Sequence, residues 1–194
     1  MNKTVKIVPY QAEWAEKFQR ERERLAKGCG AALAAIEHIG STSVPGLPAK
    51  PTVDIIACVG ERALLSVIDE PTVGKGPVSA AGNSAHVALV ERICGLGYIY
   101  RGENGINGRL FFAKPAEHPR EVHLHLVLKD SKLWREHLMF RDFLRAHADV
   151  AERYGLLKKQ LAAKAGADRE AYTDGKSAFI RQCIKAAYSW QAAK

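Results

Sequence analysis

One carboxylate, Asp54, stands inside the β-branched run Thr52-Val53-Asp54-Ile55-Ile56, and its position limits what this chain can fold into. An acid on an otherwise apolar strand costs free energy unless it is paired or used. Side chains alternate along a strand, so Thr52 and Asp54 share one face while Val53 and Ile55 share the other. The run Glu121-Val122-His123-Leu124-His125-Leu126 alternates in the same way, gathering Glu121, His123 and His125 opposite Val122, Leu124 and Leu126. If the two strands are neighbours in one sheet, Asp54, His123 and His125 converge. Upstream, Gly40, Ser41 and Ser43 lead through a Pro/Gly-rich turn to Lys50. Close backbone approach, donors aimed at oxygen and an acid to hold a cation are what a metal-complexed phosphate requires.

The surrounding pattern predicts an α/β chain. Trp14, Phe18 and Leu25 recur at helical spacing over residues 11–29, ended by Gly28 and Gly30. Strands are expected at about 36–40, 52–59, 97–101, 109–113 and 121–128. A helix is expected from near Glu61. The stretch from Glu70 to Ser84, rich in Gly, Pro, Ala and Ser, reads as a flexible insertion at about 70–85. Helical character resumes over 85–95, and 101–108 is turn-rich. Beyond Asp130 the pattern is helical: Val150, Tyr154, Leu157 and Leu161 mark one apolar stripe, and Phe179, Cys183, Ala186 and Trp190 another. The expected organisation is a mixed-sheet domain over 1–129 and a helical C-terminal subdomain over 130–194 packed on it.

Composition narrows the function. The net charge is +8, and residues 129–194 carry 14 Lys+Arg against 8 Asp+Glu; such a basic region can face a phosphate ligand or form solvated helix faces. No apolar run approaches the roughly 20 residues of a membrane span. The first ten residues lack a signal-peptide core, so a cytoplasmic location is expected and a membrane partner is not. Four cysteines without a Cys-x-x-Cys pair argue against a zinc ribbon or redox motif. The glycine spacing fits neither a dinucleotide fingerprint nor a Walker A loop, and no Gly-x-Ser-x-Gly elbow makes Ser41 an esterase nucleophile.

The stretch HIGSTSVPGLPAKPTVDI (38–55) resembles the signature of the GrpB family, a branch of the polymerase-beta-like nucleotidyltransferase superfamily. IVPYQAEWAEKF, NGRLFF, HLHLV, MFRDFLRAHADVAERYGLLKKQLA and YTDGKSAFI extend the resemblance along nearly the whole chain outside the insertion. It implies a nucleotidyltransferase-like mixed β-sheet flanked by helices. It also implies a Gly-Ser pair holding a triphosphate and strand acids holding two divalent cations, Mg2+ or Mn2+, for nucleotidyl transfer to a small acceptor. On this chain the implied catalytic residues are Asp54, His123 and His125. The resemblance implies Asp54 as a metal ligand; strand parity adds Glu121, which is not a family-typical ligand, and His123 as candidate metal ligands. The expected phosphate contacts are Gly40, Ser41, Ser43, Lys50, Arg109, Arg141, Arg145 and Lys176. Thr52 stands where a second acid of an Asp-x-Asp pair is expected. Tyr172 either stacks on a base or packs. The expected partner is a nucleoside triphosphate or another phosphorylated small molecule. The rivals are a catalytically degraded nucleotide- or anion-binding module acting through a partner and, third, a nucleic-acid-binding protein. Sparse aromatics near the basic residues disfavour the last.

Overall fold

The structure is a computed structural model that describes residues 4–60, 84–115, 120–166 and 168–193. Elements are numbered among those residues. The chain runs α1 (Glu13–Cys29), β1 (Ala35–Ile39), a 3-10 turn at Ser41–Ser43, β2 (Val53–Val59), α2 (Ser84–Gly95), β3 (Ile99–Tyr100), β4 (Arg109–Lys114) and β5 (Val122–Leu128). Four helices follow: α3 (Lys132–Ala146), α4 (Ala148–Ala165), α5 (Arg169–Asp174) and α6 (Ser177–Ala192). The helix expected near Glu61 and nearly all of the 70–85 insertion lie outside the described residues.

The sheet has the order β1-β2-β5-β4-β3. β2 and β5 run parallel, and the other pairs are antiparallel. Alternation settles the two faces. Val53, Ile55, Ala57 and Val59 of β2 join Val122, Leu124 and Leu126 of β5 in a core closed by Trp14, Phe18 and Leu25 of α1 and Leu89, Val90 and Ile93 of α2. Fully burying each such aliphatic side chain stabilises the fold by about 1.5–3 kcal/mol. On the opposite face Ile39, Ile56, Cys58 and Val127 meet Leu133, Trp134 and Leu138 of α3. Asp54, His123 and His125 therefore lie on the face that α3 covers, at its β2–β5 end. A third cluster ties the helices to the loop after β1, with Val44 and Leu47 inserted among Phe143, Leu144, Val150, Tyr154, Cys183 and Ala187.

The expected strands appear within a residue or two, except that β3 keeps only Ile99 and Tyr100, because Gly97 turns the chain at φ +88°. On α6 the buried stripe runs through Cys183 and Ala187; Ala186, expected on it, is exposed. Among the described residues no helix is long and apolar enough to cross a membrane.

One acid is buried on the α1 side. Glu21 accepts hydrogen bonds from the Tyr98 hydroxyl (2.7 Å), Lys114 Nζ (2.9 Å) and Arg24 Nη1 (3.1 Å). Burial raises its proton affinity, yet these partners outweigh burial and leave its pKa below the ordinary glutamate value. A group with a depressed folded pKa contributes stability above its unfolded pKa and loses it as pH falls. Glu21→Gln is expected to lower unfolding free energy by about 1–3 kcal/mol at neutral pH. The gap in urea midpoints between the two proteins should narrow on acidification through the glutamate range; a constant gap would contradict the account.

Candidate functional site

The site begins where β1 hands the chain to the Ser41–Ser43 turn. Gly40 adopts φ +70°, and a Cβ there would lie 2.6 Å from Asp54 Oδ2, so glycine lets the backbone lie against the carboxylate. Ser43 Oγ donates to Gly40 O at 2.6 Å. Arg145 donates through Nε (3.0 Å) and Nη2 (2.7 Å) to Ser43 O. Behind the loop, Arg141 donates to Glu37 Oε2 (2.7 Å), His38 O (3.1 Å) and Asp142 Oδ1 (2.7 Å). The two arginines brace the loop, with donors occupied by protein oxygens.

The register places Asp54 opposite His123 on β5, as alternation predicted. His123 Nδ1 lies 3.0 Å from Asp54 Oδ1, and an ionised carboxylate only accepts, so Nδ1 donates. Arg109 Nη1 lies 3.2 Å from His125 Nδ1. Guanidinium only donates, so this nitrogen accepts and the His125 proton sits on Nε2, which faces Asp54 Oδ1 at 3.9 Å. Burial opposes ionisation of Asp54, but His123 and His125 overcome it and hold the carboxyl well below its usual range. Burial likewise lowers the pKa of His125 against the pull of Asp54. Arg109 is itself buried, donating to Glu103 O and Asn104 O and lying over the Phe111 ring, so it ties the 101–108 turn to His125. From α3, His137 rests against His125 (ring centroids 5.6 Å apart), its pKa pushed down to about 4 by burial and then by His125.

Of the other two expected metal ligands, His123 joins Asp54 and Glu121 does not. Glu121 pairs with Lys17 of α1, and Thr52 Oγ1 donates to Arg120 O at 2.9 Å. Among the described residues no group of three or more His, Cys, Asp or Glu side chains is arranged to hold a metal ion. At this corner the described residues supply one carboxylate, Asp54, and imidazole N–H groups face it. This donor set does not fit a pair of magnesium ions, which rely on several carboxylates.

The basic wall comes from the helices. Tyr172 of α5 carries Lys176 Nζ at 4.4 Å and Lys50 Nζ at 5.9 Å from its ring centroid. Burial first, then Lys50, lowers the Lys176 pKa to about 8, against the opposing pull of Asp54. Lys158 of α4 is buried; it donates to Pro48 O and lies 4.7 Å from the Tyr154 ring centroid. Burial and then Lys176 push its pKa down to about 7. Burial raises the Tyr154 pKa and the Ser41 side chain works against it, so this wall adjoins the phosphate-loop candidate. Gly155 permits the approach of α4, since a Cβ there would stand 3.2 Å from Pro48 Cδ. Sequence reasoning missed Lys158, Tyr154 and His137 as site residues. A lysine four positions after Tyr154 on an apolar helical stripe was the available signal for Lys158; nothing local marked His137.

The sequence profile described as GrpB protein matches residues 4–72 and 78–186. The UPF0157 protein YqkA of Bacillus subtilis is 36% identical over 187 residues, covering 96% of this chain and 48% of YqkA. A protein named dephospho-CoA kinase from Mycolicibacterium paratuberculosis is 28% identical over 195 residues, covering 96% of this chain and 46% of its own length. The chain thus spans about half the length of each of these two relatives. The crystal structure of conserved protein GrpB from Enterococcus faecalis has a TM-score of 0.77 and 32% identity, covering 96% of this chain and 99% of that one.

The contact between Gly40 and Asp54 is directly testable. Gly40→Ala must relieve both a left-handed backbone and a 2.6 Å overlap, so a loss of about 1–3 kcal/mol in stability is expected, read by thermal or urea unfolding. An unchanged midpoint would contradict the close approach.

Proposed function

This chain belongs to the GrpB family, and on that premise we propose that the cleft between the Ser41–Ser43 loop and the α4–α6 wall binds a phosphate ester, a nucleoside triphosphate being the first candidate. The observation that carries the reading is Lys176. It is drawn with Lys50 onto one tyrosine ring and shows a pKa lowered to about 8. Two ammonium groups brought onto one ring repel each other, and an anion bound beside them offsets that repulsion. Lys50, Lys176 and the Ser41 hydroxyl supply the polar wall, while Tyr172, expected to stack on a base or to pack, is buried at 2% exposure and packs behind the two lysines. Arg109, Arg141 and Arg145 act behind this wall by holding loops.

Nucleotidyl transfer to a small acceptor is the catalytic extension of this reading, with Mg2+ or Mn2+ as the candidate cation. Binding has the stronger support, because the described residues supply a single carboxylate at the corner. A second reading, an anion-binding module acting through a partner, draws on the M. paratuberculosis relative. There a segment similar to this chain belongs to a longer protein named dephospho-CoA kinase, which makes dephospho-CoA a useful probe beside ATP.

Calorimetry with ATP, dephospho-CoA and tripolyphosphate, each with and without magnesium, tests the proposal. Lys176→Ala is expected to weaken the bound ligand by about tenfold or more, the equivalent of one charged hydrogen bond. Affinity should fall as pH rises above about 8, because the lysine must be protonated to hold an anion and its empty-site pKa is about 8. No binding of any of these at millimolar concentration would sink the reading.

A further inference from the structure

We propose that His123 Nε2 is the proton-accepting atom in a metal-independent reaction on the bound phosphate ester, with Asp54 as a positioning residue that fixes the His123 tautomer. The inference rests on the phosphate-ester reading and assigns chemistry to the same cleft. Two imidazoles face Asp54, and hydrogen bonding distinguishes them. His125 accepts from Arg109 at Nδ1 and turns Nε2–H toward Asp54 Oδ1 at 3.9 Å, with a side chain only 11% exposed. His123 uses Nδ1 to donate to Asp54 at 3.0 Å and is 22% exposed. Its proton is on Nδ1, so the lone pair is on Nε2, the ring nitrogen left for a ligand. A carboxylate that fixes an imidazole in this tautomer makes the distal nitrogen a base, and losing that carboxylate can cost several powers of ten in rate through the wrong tautomer.

Asp54 meets the requirements of this role better than those of a cation ligand. Its Oδ1 faces two N–H groups, and Oδ2 lies against Gly40, where no side chain fits. Phe111 packs beside both imidazoles, at 5.1 Å from the His123 ring and 5.3 Å from His125, which restricts their rotation. Arg109, held by Glu103 O and Asn104 O, fixes His125. In the reaction, a water or acceptor hydroxyl gives its proton to His123 Nε2 as its oxygen forms a bond to phosphorus. The P–O bond to the leaving group breaks with its electron pair, the leaving oxygen takes a proton from water if it needs one, and the imidazolium returns its proton to solvent. Lys50 and Lys176 offset the charge on the phosphoryl oxygens.

The experiment uses the full chain, bis(p-nitrophenyl) phosphate as the reactive probe and excess EDTA. Release of p-nitrophenolate is expected to persist in EDTA and to fall by about 100-fold or more in both His123→Ala and His123→Gln. The glutamine keeps a polar side chain for Asp54 but has no basic nitrogen. Asp54→Asn is expected to lower release by a similar factor while tripolyphosphate still binds. Nitrogen-15 NMR should show the Nδ1-protonated form of His123 in the wild type and a mixed or reversed tautomer in Asp54→Asn, a readout that a purely structural role would leave unmoved. Absence of release in EDTA, release that requires magnesium or manganese, release that survives His123→Gln, or selective broadening of His123 signals by Mn2+ would each overturn the inference. If release fails while tripolyphosphate binds, the base assignment falls and the binding reading stands. If tripolyphosphate does not bind, the binding reading itself falls.

Discussion

The parallel pairing of β2 with β5 is the contact on which the site depends. It sets Asp54 opposite His123 and places a carboxylate in a strand whose other residues are apolar. Everything nearby answers the cost of that charge. Gly40 makes room for one oxygen, and His123 and His125 face the other. Arg109 sets the orientation of His125, and the 101–108 turn holds Arg109 through its carbonyls. A parallel pair cannot be closed by a tight hairpin. The strands that meet here are separated in sequence by α2, β3 and β4, so the acid and its partners come together only through tertiary folding.

Much of this was legible in the sequence because strands obey a period of two. The alternation of Val53 and Ile55 with Asp54, and of Leu124 and Leu126 with His123 and His125, determined both faces, and the structure preserves that parity. The parallel neighbour relation was not contained in either run alone. The ends of elements were less legible: Gly97 shortens β3, and on α6 the buried stripe passes through Ala187, because a helical stripe drifts and adjacent alanines look alike to periodicity.

Side-chain partners were the least legible part. Arg141 and Arg145 were expected among the phosphate contacts. The structure instead directs them to Glu37, His38 O and Ser43 O, groups about a hundred residues away in the chain. Lys158 looked like one more charge on a basic helix, yet it is buried because Pro48 O lies within its reach. A charged residue declares its type in the sequence, while its partner is fixed by tertiary folding.

The attachment of the 40–50 loop bears on how a ligand would be received. Arg145 holds Ser43 O, Lys158 holds Pro48 O, Val44 and Leu47 are seated among the C-terminal helices, and Gly155 lets Pro48 come into contact with α4. Loop and helices are thus fastened at several independent points. A loop already ordered by its own fold has little freedom left to lose on contact with another molecule.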